Sequence, residues 1–223
     1  CHISHGRLST TADTPPLPLF PLHLVLFPES RRTLHIFEER YKTMIRRCWD
    51  EALVFGVNLY ENNYMHPVGC TARVDGILNT YPDGSFDILV VGVQRYRLID
   101  FSAHPIGYFE GRIEHIEDAA ASSPQPLVER AIEMFNRVVR IAYPDNDAMQ
   151  IDADSATSPR LSYLLAEKAG IELQDRQRLL EEPAELLRLQ NIIEHLERLM
   201  PVLQDFEQVK HIIRNDGYLP RGR

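Results

Sequence analysis

Long hydrophobic runs are missing from this chain. No apolar stretch approaches the roughly 18 residues that a membrane-spanning helix requires. Cysteine is scarce, with 3 in 223 residues, and the count is odd. That rules against a disulfide-stapled scaffold and implies a reducing, cytoplasmic compartment. A positive net charge is also absent: 24 Lys and Arg against 32 Asp and Glu leave −8. Nucleic-acid phosphates favour a basic surface, so nucleic acid is an unfavoured partner. The local exception is Arg31, Arg32, Arg40, Lys42, Arg46 and Arg47, which reads as a solvated helix face.

Catalytic signatures are lacking too. There is no phosphate loop of the GxxxxGK[ST] type, no HExxH, no CxxC and no GxSxG. The nine histidines are scattered: His104 precedes a proline, His115 lies on a strand edge and His195 on a charged helix stripe. Asp145, Asp147, Asp152 and Asp154 share a segment without the glycine and glutamate of a calcium loop. Expected are no catalytic residue, no metal, no cofactor and no enzymatic activity.

What is present is a strong opening, LPLFPLHLVLFPESRRTLHIFEERY at 17–41. Two apolar runs, Leu17–Leu22 and Leu24–Phe27, meet Pro21 and Pro28, which mark an edge, a bulge or a strand end. Thr33–Phe37 is a further strand. From Glu38 the period changes, and Tyr41, Met44, Ile45 and Cys48 or Trp49 form one helical face. The stretch predicts strand, sharp turn, strand, amphipathic helix.

Beyond it, Leu53–Tyr60 reads as a buried strand and Pro67–Gly69 as a turn. Cys70–Tyr81 and Ser85–Val91 flank Tyr81-Pro-Asp-Gly84, where Pro82 suits the first corner and Gly84 a left-handed position. Gly92–Ile99 and Tyr108–Ile116 add two more strands. Six or seven strands with one early helix predict a mostly antiparallel, partly closed sheet. After the Ala-Ser-Pro linker, Val128, Ala131, Ile132, Phe135, Val138, Val139 and Ala142 share one helical stripe. Ser158 and Pro159 suit a helix start; Leu161, Leu164, Leu165 and Ala169 follow, and Gly170 stops that helix. A short helix turns Leu179 and Leu180 inward. Leu186, Leu189, Ile193, Leu196, Met200 and Leu203 then form a heptad seam, with Pro201 expected to kink or break it. The class is α+β: a β-rich subdomain at 17–118, a linker at 119–126 and a helical subdomain at 127–216. Flexible tails are expected at 1–16 and 217–223.

The run LPLFPLHLVLFP…LHIFEERYKTMI resembles the opening of the Lon substrate-binding domain, the N-terminal domain of ATP-dependent Lon proteases. PVGC, the hairpin and ILVVGVQRYRL resemble its later strands, and LSYLLAEKAGIELQDRQRLLEE its helical half. The resemblance spans roughly 15 to 213. It implies a PUA-like β pseudo-barrel followed by a helical bundle, and a non-catalytic module that binds unfolded or tagged polypeptides in protein quality control. The family's proteolysis resides in ATPase and protease modules for which this sequence has no motifs. The expected peptide surface combines Phe20, Phe27, Ile36, Phe37 and Tyr41 with Glu38, Glu39 and Arg40 at its rim. The alternative is an adaptor or homo-oligomerising subunit acting through the C-terminal helix.

Overall fold

The computed structural model describes residues 15–119, 123–144, 146, 149–152 and 160–214, with 206–214 described by backbone alone. The expected tails fall outside them except for Pro15 and Pro16, as do Asp145, Asp147, Asp154, Ser158 and Pro159. The chain runs β1 (Leu17–Leu22), β2 (Arg31–Ile36), α1 (Glu39–Asp50), β3 (Phe55–Glu61), β4 (Tyr64–Thr80), β5 (Phe86–Ala103) and β6 (Phe109–His115). Helices α2 (Gln125–Ala142), α3 (Leu161–Lys168), α4 (Leu173–Glu181) and α5 (Glu185–Arg214) follow.

The six strands lie in the order β2-β5-β4-β3-β1-β6, and β6 pairs again with β5. Strands β5, β4, β3, β1 and β6 therefore close into a ring, and β2 hangs outside it. All pairings are antiparallel except β1 with β3. Closure needs bending, and bulges supply it. Register shifts occur between Cys70 and Ala72, Val74 and Gly76, and Ile77 and Asn79 on β4, and between Leu98 and Asp100 on β5.

Three local expectations are corrected. Leu24–Phe27 is not a strand but a buried loop, with Phe27 fully enclosed. The Ser30 hydroxyl ties it by accepting from Phe27 N and donating to Phe27 O. The turn expected at Pro67–Gly69 sits instead at Asn62-Asn63, whose φ values of 48° and 60° suit asparagine in a tight hairpin. Pro67 falls inside β4 at a break in the β3–β4 register between Asn58 and Tyr60, where a missing N–H does least harm. Finally, Ser85–Val91 and Gly92–Ile99 are one strand. Gly92 does not interrupt it; it admits the β1–β2 loop, for a Cβ there would lie 2.1 Å from Phe27 O. Its amide donates to Ser30 O, and its carbonyl accepts from Glu29 N.

Tyr41, Met44, Ile45 and Cys48 bury the face of α1, whereas Trp49 is exposed. Lys42 is buried as well, its ammonium reaching Asp83 O at 3.2 Å in the Tyr81–Gly84 turn. Gly84 takes φ +79° as expected. In the helical half, α2 packs on α5, and Leu189, Ile192, Ile193, Leu196 and Met200 are buried. The middle of the seam thus faces the core, Leu186 and Leu203 at its ends are half-buried, and α5 continues through Pro201. Gly170 ends α3 region with φ +65°, and His195 Nε2 approaches Ala169 O there at 3.0 Å. Asn136 clasps the backbone of buried Ile151, through both its N–H and its C=O at 2.8 Å. The segment after α2 is therefore held at that point.

Sheet and helices share one hydrophobic core, and a polar lock joins them. Arg95 of β5 and Arg188 of α5 are both buried, at 2% and 0% exposure. Each donates to the same Asp118 oxygen, at 2.7 and 3.0 Å. Arg95 also reaches Leu180 O, and Arg188 reaches Glu185, Ser162 Oγ and Glu182 O. Arg188 lies 4.4 Å above the Tyr163 ring, Tyr163 stacks on Phe27, and Arg176 covers Phe27 at 4.9 Å.

Three outcomes follow from these contacts. Gly92→Ala lowers stability by about 2 kcal/mol or more through overpacking. Gly76→Ala, which meets nothing within 4 Å, stays within about 0.5 kcal/mol; equal urea midpoints would refute the docking role of Gly92. Arg188→Met costs about 3 kcal/mol by leaving the half-buried Glu185 without its cation and Asp118 with Arg95 alone, whereas removing Arg130 from its exposed pair with Glu197 changes the midpoint little. Burial pushes the Cys48 thiol up to about 11 and the Cys70 thiol up to about 12. Since the thiolate is the nucleophile, a maleimide leaves both unlabelled in the folded chain and labels both in denaturant, as peptide mass mapping will read.

Candidate functional site

The ladder between β1 and β6 ends at Leu19–Phe109, while β1 continues beside β3 as far as Leu22. β2 ends at Ile36, and the chain turns into α1. These ladder ends diverge around a cleft of ≈ 460 Å³. Phe20, Pro21 and Leu22 line it from β1, and His35, Ile36, Phe37 and Glu38 from β2 and the turn. Arg40 and Tyr41 come from α1, Tyr60 from β3 and Phe109 from β6.

The floor is fixed and the walls are open. Phe20 and Tyr41 rings lie 4.3 Å apart, with Phe55 next to Phe20. Phe20, Ile36 and Tyr41 are buried, whereas Phe37 is 63% and Tyr60 42% exposed. Burial raises the Tyr41 hydroxyl above its ordinary range. Arg40 is held to Glu38 by bonds of 2.7 and 2.9 Å and to Gly107 O at 3.2 Å, with its guanidinium 4.6 Å above the Tyr41 ring. The rim therefore carries a neutralised ion pair, not a free charge.

His35 borders the cleft and pairs with Asp87 at 2.7 Å. Tyr81 and Asn79 also donate to that carboxylate. The Tyr81 bond, then the His35 bond, hold Asp87 below the usual carboxylate range. The lining contains no Ser, Thr, Cys or Lys, so the imidazole–carboxylate pair has no nucleophile beside it to activate. Among the described residues, no group of three or more His, Cys, Asp or Glu could hold a metal ion. The arrangement can grip an apolar or aromatic group.

Of the residues expected at the surface, the cleft unites Phe20, Ile36, Phe37, Glu38, Arg40 and Tyr41. Glu39 points away, its carboxylate 86% exposed and 2.8 Å from Lys42. Phe27 is not part of it: the Phe27–Ser30 turn sends that ring toward Tyr163 of α3. Sequence reading missed Pro21, Leu22, His35, Tyr60 and Phe109 as lining residues. Tyr60 carried a faint signal as a large aromatic at the end of a buried strand. Phe109 carried none, because its place depends on the distant β1–β6 pairing.

The chain also resembles proteins already described. Residues 16–198 match the family model of the ATP-dependent protease La (LON) substrate-binding domain. Lon protease 2 of Herpetosiphon aurantiacus is 27% identical over 93% of this chain and 26% of its own length. Lon protease of Escherichia coli is 28% identical over 69% of this chain and 19% of its own. The chain thus spans about a quarter or less of those relatives. A Lon N-terminal domain protein from Xanthomonas campestris superposes with TM-score 0.63 at 25% identity, over 81% of this chain and 98% of that one. The N-terminal domain of the Mycobacterium avium complex Lon protease shares the fold, with TM-score 0.65 at 13% identity, over 82% and 98%. An α+β barrel capped by helices, with a matched segment that runs from β1 into α5, makes this chain a member of the LON substrate-binding domain family.

Proposed function

We propose that this domain binds unfolded or tagged polypeptide segments in the cleft between β1, β2 and α1, without acting on them chemically, as a recognition step in cytoplasmic protein quality control. The observation that carries the reading is an open aromatic cleft on a domain of a substrate-binding family. Large apolar side chains left exposed together mark binding surfaces in soluble proteins. Phe37 and Tyr60 stand over a floor that Phe20 and Tyr41 keep rigid, so binding need not order the site first. Among the described residues, no helix is long and apolar enough to cross a membrane.

The alternative, association through α5, has less to draw on. The seam residues Leu189, Ile193, Leu196 and Met200 are buried within the chain. Among the described side chains of α5, the exposed large apolar ones are Leu187 and Val202, at 43% and 62%.

Fluorescein-labelled, chemically unfolded casein serves as the probe, read by anisotropy. Phe37→Ser combined with Tyr60→Ser weakens binding about tenfold or more, the loss of roughly 1.4 kcal/mol expected for removing anchoring aromatics. Trp49→Ser, also an exposed aromatic but outside the cleft, leaves it unchanged. Equal affinities for the two variants would move the binding site elsewhere.

A further inference from the structure

We propose that the bound segment adds as a further strand along the free edge of β2, setting an apolar side chain in the cleft beside Phe37 and a carboxylate against Arg31. This deepens the cleft reading and rests on it. Among the described strands, β2 is hydrogen-bonded to β5 alone. In an antiparallel pair, every second residue turns its N–H and C=O away from the partner strand. Half of the main-chain groups of β2 therefore face outward with no strand beside them. The complement of such a row is another extended backbone, whose donors and acceptors repeat at the same spacing.

The charges along the edge narrow the occupant. Arg73 and Arg31 both approach the Asp75 carboxylate, at 2.6 and 3.6 Å. One acid serves two guanidiniums, and Arg31, 63% exposed, is the loosely held one. Arg32 likewise shares Glu167 with Arg176. A chain of net charge −8 thus carries a local positive excess at the start of β2 and an apolar cleft at its end. Arg31 and Phe37 fall on the same exposed alternation of the strand, about 20 Å apart at ~3.3 Å per residue. A matching segment carries its acidic and apolar anchors on one face, with the same spacing.

The probe is a fluorescein-labelled nonapeptide with phenylalanine at position 2, aspartate at position 8 and alternating Thr and Ser elsewhere, titrated with the full chain. N-methylation of one alternating set of its amides lowers affinity about tenfold or more, and methylation of the other set changes it little. Replacing the aspartate by asparagine and Arg31→Gln each weaken binding, and their combination weakens it no further than either alone. A thermal melt confirms that Arg31→Gln is folded. If the peptide binds but both methylation sets act alike, or the aspartate is without effect, strand addition is overturned and the cleft reading stands. It is equally overturned if casein binds through Phe37 and Tyr60 and the nonapeptide does not. If neither ligand binds, both readings fall.

Discussion

One carboxylate between two buried guanidinium groups holds this fold together. Asp118 receives Arg95 from the barrel and Arg188 from the long helix. Burying two cations is costly unless each finds its full complement of partners. Glu185 supplies the second negative charge, so the cluster is neutral, and the Leu180 and Glu182 carbonyls with the Ser162 hydroxyl take remaining donors. The cluster forms only when β5, the segment after β6, and helices α3 and α5 are all in place. It joins the barrel to the helices, because Arg95 on β5 needs the Leu180 and Glu182 carbonyls as well as Asp118, and Arg188 on α5 reaches back to the same Asp118. The stacked Arg188–Tyr163–Phe27–Arg176 series extends the same bond to the β1–β2 loop.

That loop is the link to the cleft. Gly92 lets the Phe27 carbonyl approach β5, and Ser30 closes the turn. Strand β2 then starts in register with β5 at Arg31–Val91 and ends at Ile36–Phe86. The position of Phe37, and so one wall of the cleft, follows from where the loop is pinned. Phe20, at the other end of that loop, is clamped beneath Tyr41. A packed floor with exposed aromatic walls suits a surface that accepts apolar groups at small ordering cost.

Local signals were legible and distant ones were not. The face of α1, the Tyr81–Gly84 hairpin and the stop at Gly170 each rest on residues within a few positions of one another, and each stands where sequence reading put it. Leu24–Phe27 misled because a buried loop and a buried strand are equally apolar; only the Ser30 side chain separates them. Gly92 read as a boundary because close backbone approach leaves no trace in the neighbouring residues. Arg95 read as one side of an alternating strand, yet it is buried, for its partners come from residues 117–182. The same division holds in the cleft. Nine of its residues lie within 20–41, and six of them were visible together, while Tyr60 and Phe109 enter only through pairing of β1 with β3 and β6.

The free edge of β2 is a consequence of how the barrel closes. β5 runs for 18 residues, longer than one neighbour needs. Its first part, from Phe86 to Val91, is given to β2, and its last part, from Tyr96 to Ala103, to β6. Once β6 has joined β1 to seal the ring, no strand among the described residues remains for the other side of β2. Exposed edges invite unwanted pairing, and charged residues are the usual protection. Arg31 and Arg32 occupy the start of this edge, whereas its end at Ile36 and Phe37 is apolar and opens on the cleft. The protection is graded along a single strand, strongest where the helices lie near through Arg32 and Glu167 and weakest at the cleft. The geometry that seals the barrel thereby also leaves the outer side of β2 as a sheet edge among the described residues.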